Sequence, residues 1–122
     1  MGRRVLIVDD EPYILRILSF KLRLEGFDTL EARSAEDAER IIAGTDVDLI
    51  VLDVALATPT NGFDLAAKLR RNAATSDIPI IMLTARGFSS DVLRGREVGA
   101  AGYITKPFST EELIERVRAI LG

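Results

Sequence analysis

Asp48-Leu49-Ile50-Val51-Leu52-Asp53 decides how this chain folds. Four consecutive branched apolar residues with a carboxylate at the far end are the pattern of a strand buried on both faces of a parallel sheet. Asp53 then stands at the carboxyl edge of its strand, where open α/β sheets bind their ligands. Val5-Leu6-Ile7-Val8-Asp9-Asp10 repeats the composition. Two strands ending in acids bring three carboxylates toward one point, and such a cluster repels itself unless a cation sits in it.

Composition narrows the chemistry. The 122 residues are one domain's length, enough for a full core without staples. With 48% hydrophobic and 29% charged residues, the composition is ordinary for a globular protein and argues against disorder. Cysteine and histidine are both absent. That removes disulfides, thiolate metal sites, the commonest general base and the commonest transition-metal ligand. A net charge of −3 argues against a sequence-independent grip on nucleic acid. Arg3 and Arg4 precede only four apolar residues before Asp9, far short of a signal-peptide core or a membrane span, so the expected location is cytoplasmic, with no membrane insertion.

Short apolar runs alternate with helical patterns along the chain. Val5 to Val8 is the first strand. Pro12 suits the first turn of a helix in which Ile14, Ile17, Leu18 and Leu22 recur at helical spacing, and Gly26 stops it. Phe27 to Ala32 is a less apolar second strand suited to an edge. Ser34 and Asp37 open a helix through Ala38, Ile41 and Ile42 that ends at Gly44. After the run into Asp53, the loop Val54 to Gly62 carries Pro59 and an Asn61-Gly62 turn signal, and leads into a helix with Leu65 and Leu69 on one side. Arg70 and Arg71 read as its solvated face. Pro79 introduces a fourth strand, Ile80 to Thr84. A weakly patterned helix is expected over 91–98, and Gly102 to Thr105 is a short fifth strand. Ser109 and Glu112 cap a last helix carrying Leu113, Val117, Ile120 and Leu121. Five βα units argue for a doubly wound parallel sheet with five helices on its two faces. Right-handed crossovers leave few topologies, the flavodoxin-like order 2-1-3-4-5 among them, and that order is the one expected here.

Function is then read at the carboxyl ends of the strands: Asp9 and Asp10 from the first, Asp53 from the third, Thr84 from the fourth, Lys106 from the fifth. Hard oxygen ligands suit magnesium or manganese, and Mg²⁺ accepts one or two carboxylates while keeping several waters. A coordination position is left for a phosphoryl oxygen. A lysine and a hydroxyl could engage the others, which is most of what phosphoryl transfer asks of a protein. An aspartate can itself be the nucleophile, giving an acyl phosphate, and a carboxylate attacking phosphorus needs no general base.

Val8-Asp9-Asp10-Glu11, then Asp53, then Leu83-Thr84-Ala85-Arg86, then Gly99-Ala100 through Tyr103 to Lys106-Pro107-Phe108 together resemble a response-regulator receiver domain of two-component signalling. The resemblance runs from Val5 to Leu121. It implies that Asp53 accepts a phosphoryl group from a phosphohistidine on a sensor histidine kinase or phosphotransfer protein. It implies that Asp10, Asp53 and the backbone carbonyl of Ala55 bind Mg²⁺, with Asp9 acting through water. Lys106 would pair with Asp53 and later with the phosphoryl group, beside a Lys106-Pro107 bond expected to be cis. Thr84 would move toward the phosphoryl group and Tyr103 would turn inward, rearranging the surface of the fourth and fifth helices and the fifth strand.

The chain departs from that pattern after Asp53, where Ala57 takes the place of a proline while Pro59 and Gly62 fall later, as though one residue were inserted. Ala55 and Arg86 flank the expected phosphorylation site. Ala101 and Gly102 replace an acidic pair that many DNA-binding regulators carry, which weakens the case for their salt-bridged dimer and leaves homodimerisation on phosphorylation open. Residues 1–122 are expected to be a single receiver domain without an effector domain, either standing alone or excised from a longer protein. It would act through a downstream protein partner or effector and would not itself bind nucleic acid. Two rivals are a pseudo-receiver that binds partners without taking phosphate and a Mg²⁺-dependent aspartyl-phosphate hydrolase. The hydrolase wants Asp-x-Asp-x-Thr/Val after the first strand, and Asp9-x-Glu11-x-Tyr13 does not match.

Overall fold

A computed structural model describes residues 2–56, 61–84, 99–106 and 108–122. Five strands, β1 (Arg4–Val8), β2 (Asp28–Ala32), β3 (Leu49–Asp53), β4 (Ile80–Thr84) and β5 (Gly102–Thr105), form one sheet. Every neighbouring pair is parallel, in the order β2-β1-β3-β4-β5. The central strand is the one built from the opening hexapeptide, and Leu49 to Leu52 are wholly buried. Each such side chain contributes roughly 1.5–3 kcal/mol relative to exposure. β2, the least apolar strand, lies at an edge, as its composition predicts.

Strand alternation divides the core in two. Val5, Ile7, Leu49, Val51, Ile81, Leu83 and Ile104 point to one face, and Leu6, Val8, Ile50, Leu52, Ile80 and Met82 to the other. Four helices among the described residues cover these faces: α1 (Pro12–Leu24), α2 (Ala35–Gly44), α3 (Gly62–Arg71) and α4 (Thr110–Leu121). α1 and α4 pack on the first face through Leu15, Leu18, Leu22, Leu113, Ile114 and Val117. α2 and α3 pack on the second through Ala35, Ala38, Phe63, Leu65, Ala66 and Leu69. The helix expected over 91–98 lies outside the described residues.

The helix starts follow their capping chemistry. Ser34 accepts from the Asp37 N–H and Ser109 from the Glu112 N–H, both at 3.1 Å. Asn61 corrects its reading as a turn residue, because its side chain accepts from the Asp64 N–H at 2.9 Å and caps α3. Arg70 is half-buried rather than solvated, its guanidinium donating to backbone carbonyls of two other segments. On α1, Leu15 takes one of the deep positions while Ile14 and Ile17 are half-buried. No helix among the described residues is long and apolar enough to cross a membrane.

Candidate functional site

Register brings the acids together. Val8 pairs with Leu52, so the next rung beyond β1 sets Asp9 beside Asp53. Asp9 keeps that line because its N–H donates to the Ala32 carbonyl at 3.1 Å, one step past the end of the ladder. The alternation that sends Val5, Ile7, Leu49 and Val51 toward α1 and α4 carries Asp9 and Asp53 to the same side. One carboxylate oxygen from each of Asp9, Asp10 and Asp53 lies within 4.8 Å of the others. Asp9 is wholly buried, Asp53 is 4% exposed, and Asp10 is half-buried at the mouth.

Lys106 reaches this cluster from the end of β5. Its Nζ donates to Asp53 Oδ2 at 3.2 Å and lies 3.6 Å from Asp9 Oδ2, an ion pair but too long for a hydrogen bond. Backbone donors fix the other oxygens: Ala55 N–H to Asp53 Oδ1 at 3.1 Å, and Glu11 N–H to Asp9 Oδ1 at 2.9 Å. Among the described residues, Asp9 Oδ2 is left buried without a hydrogen-bond partner.

Burial and charge strain the cluster. Burial, with the charges of Asp53 and Asp10 added, lifts the Asp9 carboxyl to about 6 against the pull of the Glu11 N–H and Lys106. Asp53 is likewise raised by burial, and Lys106 and the Ala55 N–H only partly offset it. Burial alone would lower the Lys106 ammonium, but the Asp53 and Asp9 charges outweigh it and hold it above the ordinary lysine value. Among the described residues, three carboxylates face one ammonium, which leaves negative charge uncompensated. A hard divalent cation fits that deficit, the all-oxygen donor set and the orphaned Asp9 Oδ2 together.

The remaining expected residues are placed by backbone contacts and register. Thr84, 3% exposed, ends β4, and its carbonyl accepts the Lys106 N–H at 2.6 Å. It pairs in register with Thr105, while Tyr103 pairs with Met82, so Tyr103 is the diagonal neighbour of Thr84. Tyr103 is half-buried against the α2–α3 side of the core. Ala55 is placed by its N–H. Ala57, Pro59, Arg86 and the Lys106-Pro107 bond lie outside the described residues.

Gly62 belongs to this site more closely than its reading as a turn residue implies. A Cβ there would fall 2.3 Å from the Asp53 carbonyl oxygen and 2.8 Å from Val54 Cα, and its N–H donates to the Val54 carbonyl at 3.0 Å. Only a glycine lets the start of α3 press this closely on the backbone of the third strand's acid.

Comparisons with known proteins identify the family. Residues 5–118 match the response regulator receiver domain family. The chain is 46% identical to the phosphate regulon transcriptional regulatory protein PhoB of Pseudomonas aeruginosa over 121 residues, 99% of this chain and 52% of that protein. It is 41% identical to the DNA-binding dual master transcriptional regulator RpaA of Synechocystis over 97% of this chain and 48% of that one. The chain thus spans about half the length of these curated relatives. Among solved structures, the chemotaxis protein CheY4 of Vibrio cholerae superposes with a TM-score of 0.92 at 28% identity, covering 98% of this chain and 99% of CheY4. A response regulator described as putative from Chloroflexus aurantiacus superposes with a TM-score of 0.92 at 36% identity, covering 99% and 98%. With the family match running over residues 5–118, the chain belongs to the response regulator receiver domain family.

Proposed function

We propose that the domain is a phosphorylation-dependent switch in which Asp53 takes a phosphoryl group from a phosphohistidine of a sensor histidine kinase or phosphotransfer protein. The observation that carries this reading is the convergence on Asp53 of a lysine ammonium and two further carboxylates, at the carboxyl end of the central strand.

Asp10, Asp53 and the Ala55 carbonyl would hold Mg²⁺, or Mn²⁺, with Asp9 acting through water; the cation supplies charge neutralisation at the transferring phosphoryl oxygens. A carboxylate oxygen of Asp53 attacks phosphorus, the phosphorus–nitrogen bond to the donor imidazole breaks, and the imidazole keeps the bonding pair and is protonated as it leaves. Asp53 has no proton to lose, so the absence of histidine from the chain is no obstacle. Lys106, already held at 3.2 Å, follows the new negative charge onto the phosphoryl oxygens. Thr84 offers its hydroxyl from the neighbouring strand end, and Tyr103, diagonal to it, turns inward behind it.

The output is a changed surface along β5, α4 and the helix expected over 91–98, read by a protein partner or an effector domain. The relatives PhoB and RpaA are transcriptional regulators by name. They favour an output on transcription, with nucleic acid contacted elsewhere than on this domain and with a cytoplasmic setting.

The test is chemical. After incubation with ³²P-labelled acetyl phosphate and Mg²⁺, the domain should carry label that neutral hydroxylamine removes, as an acyl phosphate requires. Label that survives hydroxylamine, or none where a known receiver domain is labelled, contradicts the reading.

A further inference from the structure

Arg70, in the last turn of α3, sends its guanidinium away from its own helix. Nη1 donates to the Ser76 carbonyl at 2.7 Å and Nη2 to the Gly99 carbonyl at 3.3 Å. Gly99 has φ of +72°, and a Cβ there would come within 3.3 Å of Arg70 Nε, so the backbone turns tightly against the guanidinium. Two residues on, the Ala101 N–H donates to the Ile80 carbonyl at 2.8 Å, and β5 begins at Gly102.

β5 is therefore held at both ends. Arg70 ties the backbone before it, and the Lys106 side chain ties the residue after it to Asp53 at 3.2 Å. Tyr103 lies between the two ties. α3 itself is anchored at its other end, where Gly62 presses on the Asp53 carbonyl, and Phe63, Leu65, Ala66 and Leu69 bury its length against the sheet. A ten-residue helix spans about 15 Å and, packed this way, moves as one body.

We infer that Arg70 is a positioning residue for the response to phosphorylation: by fixing Gly99 it holds the amino end of β5 still, so that a pull on Lys106 acts on Tyr103 instead of sliding the strand. The inference rests on the phosphorylation reading above. An arginine suits the role because its planar fork serves two carbonyls at once, which a lysine cannot do with the same geometry.

The chain has two tyrosines and no tryptophan, so in a Tyr13→Phe background Tyr103 is the sole tyrosine reporter. That background protein, with Arg70→Met and Arg70→Lys added separately, is treated with Mg²⁺ and acetyl phosphate. Tyr103 emission is compared at equal phosphate occupancy, measured by intact mass. Arg70→Met keeps the packed stem and removes both donors; it should reach the same occupancy yet lose most of the emission change, and Arg70→Lys should recover part of it. An emission change in Arg70→Met equal to that of the background protein, whatever its melting temperature, overturns the inference. So does a background protein that is fully phosphorylated without any emission change. A background protein that takes no phosphate overturns the phosphorylation reading, and this inference with it.

Discussion

The Lys106 ammonium lies 3.2 Å from Asp53 Oδ2 across 53 residues of sequence. Asp53 pairs with Leu83 and Leu83 with Ile104, so two strand spacings, roughly 10 Å, separate the two backbones. A side chain as long as lysine's is needed to cross the end of β4. The contact therefore links sheet order to site chemistry, since it forms only because β5 lies beside β4 on the far side from β3 within reach of a lysine side chain.

Replacing Lys106 with Ala should leave the oxygen ligands for the divalent ion in place, because Asp10 and Asp53 are positioned from other strands. Removing one partner of this half-buried pair should lower metal-free stability by about 1–3 kcal/mol. Phosphate should still reach Asp53, but the Tyr103 response should disappear. Mg²⁺ titration beside an emission measurement checks both halves, and loss of the metal site would contradict this division of roles.

Asp9→Asn should stabilise the metal-free domain at neutral pH. A folded carboxyl raised to about 6 holds its proton more tightly than the unfolded chain, whose ordinary value is 3.8. Wild-type stability is then greatest at the acid end of that window and falls as pH rises through about 6. At about 1.4 kcal/mol per pH unit, the charged Asp9 costs the fold on the order of 3 kcal/mol. Urea denaturation without metal should show that decline in the wild type and a flatter profile in the variant. Adding Mg²⁺ should stabilise the wild type more than Asp9→Asn, and equal stabilisation would place the ion elsewhere.

Gly62→Ala should damage the site without touching a ligand. The added Cβ would meet the Asp53 carbonyl oxygen at 2.3 Å, so either α3 or the Asp53 backbone must shift. Overpacking of this kind costs about 1–3 kcal/mol. The domain should melt earlier and take phosphate from acetyl phosphate more slowly, whereas Gly44→Ala, whose Cβ would meet nothing within 4 Å, should do neither.

The sheet was legible because its strands are short, apolar and punctuated. Pro79 marks the start of Ile80 to Thr84, and the acids mark the ends of β1 and β3. Ser34 and Ser109 were legible as caps because a hydroxyl before an apolar period has few other uses. Asn61-Gly62 was not, since the same dipeptide serves a turn or a helix start, and only the position of α3 decides between them. Lys106 and the three acids could be named from their strand ends. The N–H groups of Ala55 and Glu11 that fix two carboxylate oxygens could not, because backbone donors carry no side-chain signature. The same limit hid Arg70, whose partners are the carbonyls of Ser76 and Gly99.

The most direct test is an intact mass spectrum after incubation with Mg²⁺ and acetyl phosphate, with Asp53→Asn alongside. One added phosphate on the wild type and none on Asp53→Asn is the expected result. Equal phosphate on both proteins would move the acceptor away from Asp53. No phosphate on either, where a known receiver domain gains one, would make the acid cluster a binding site that does not take phosphate.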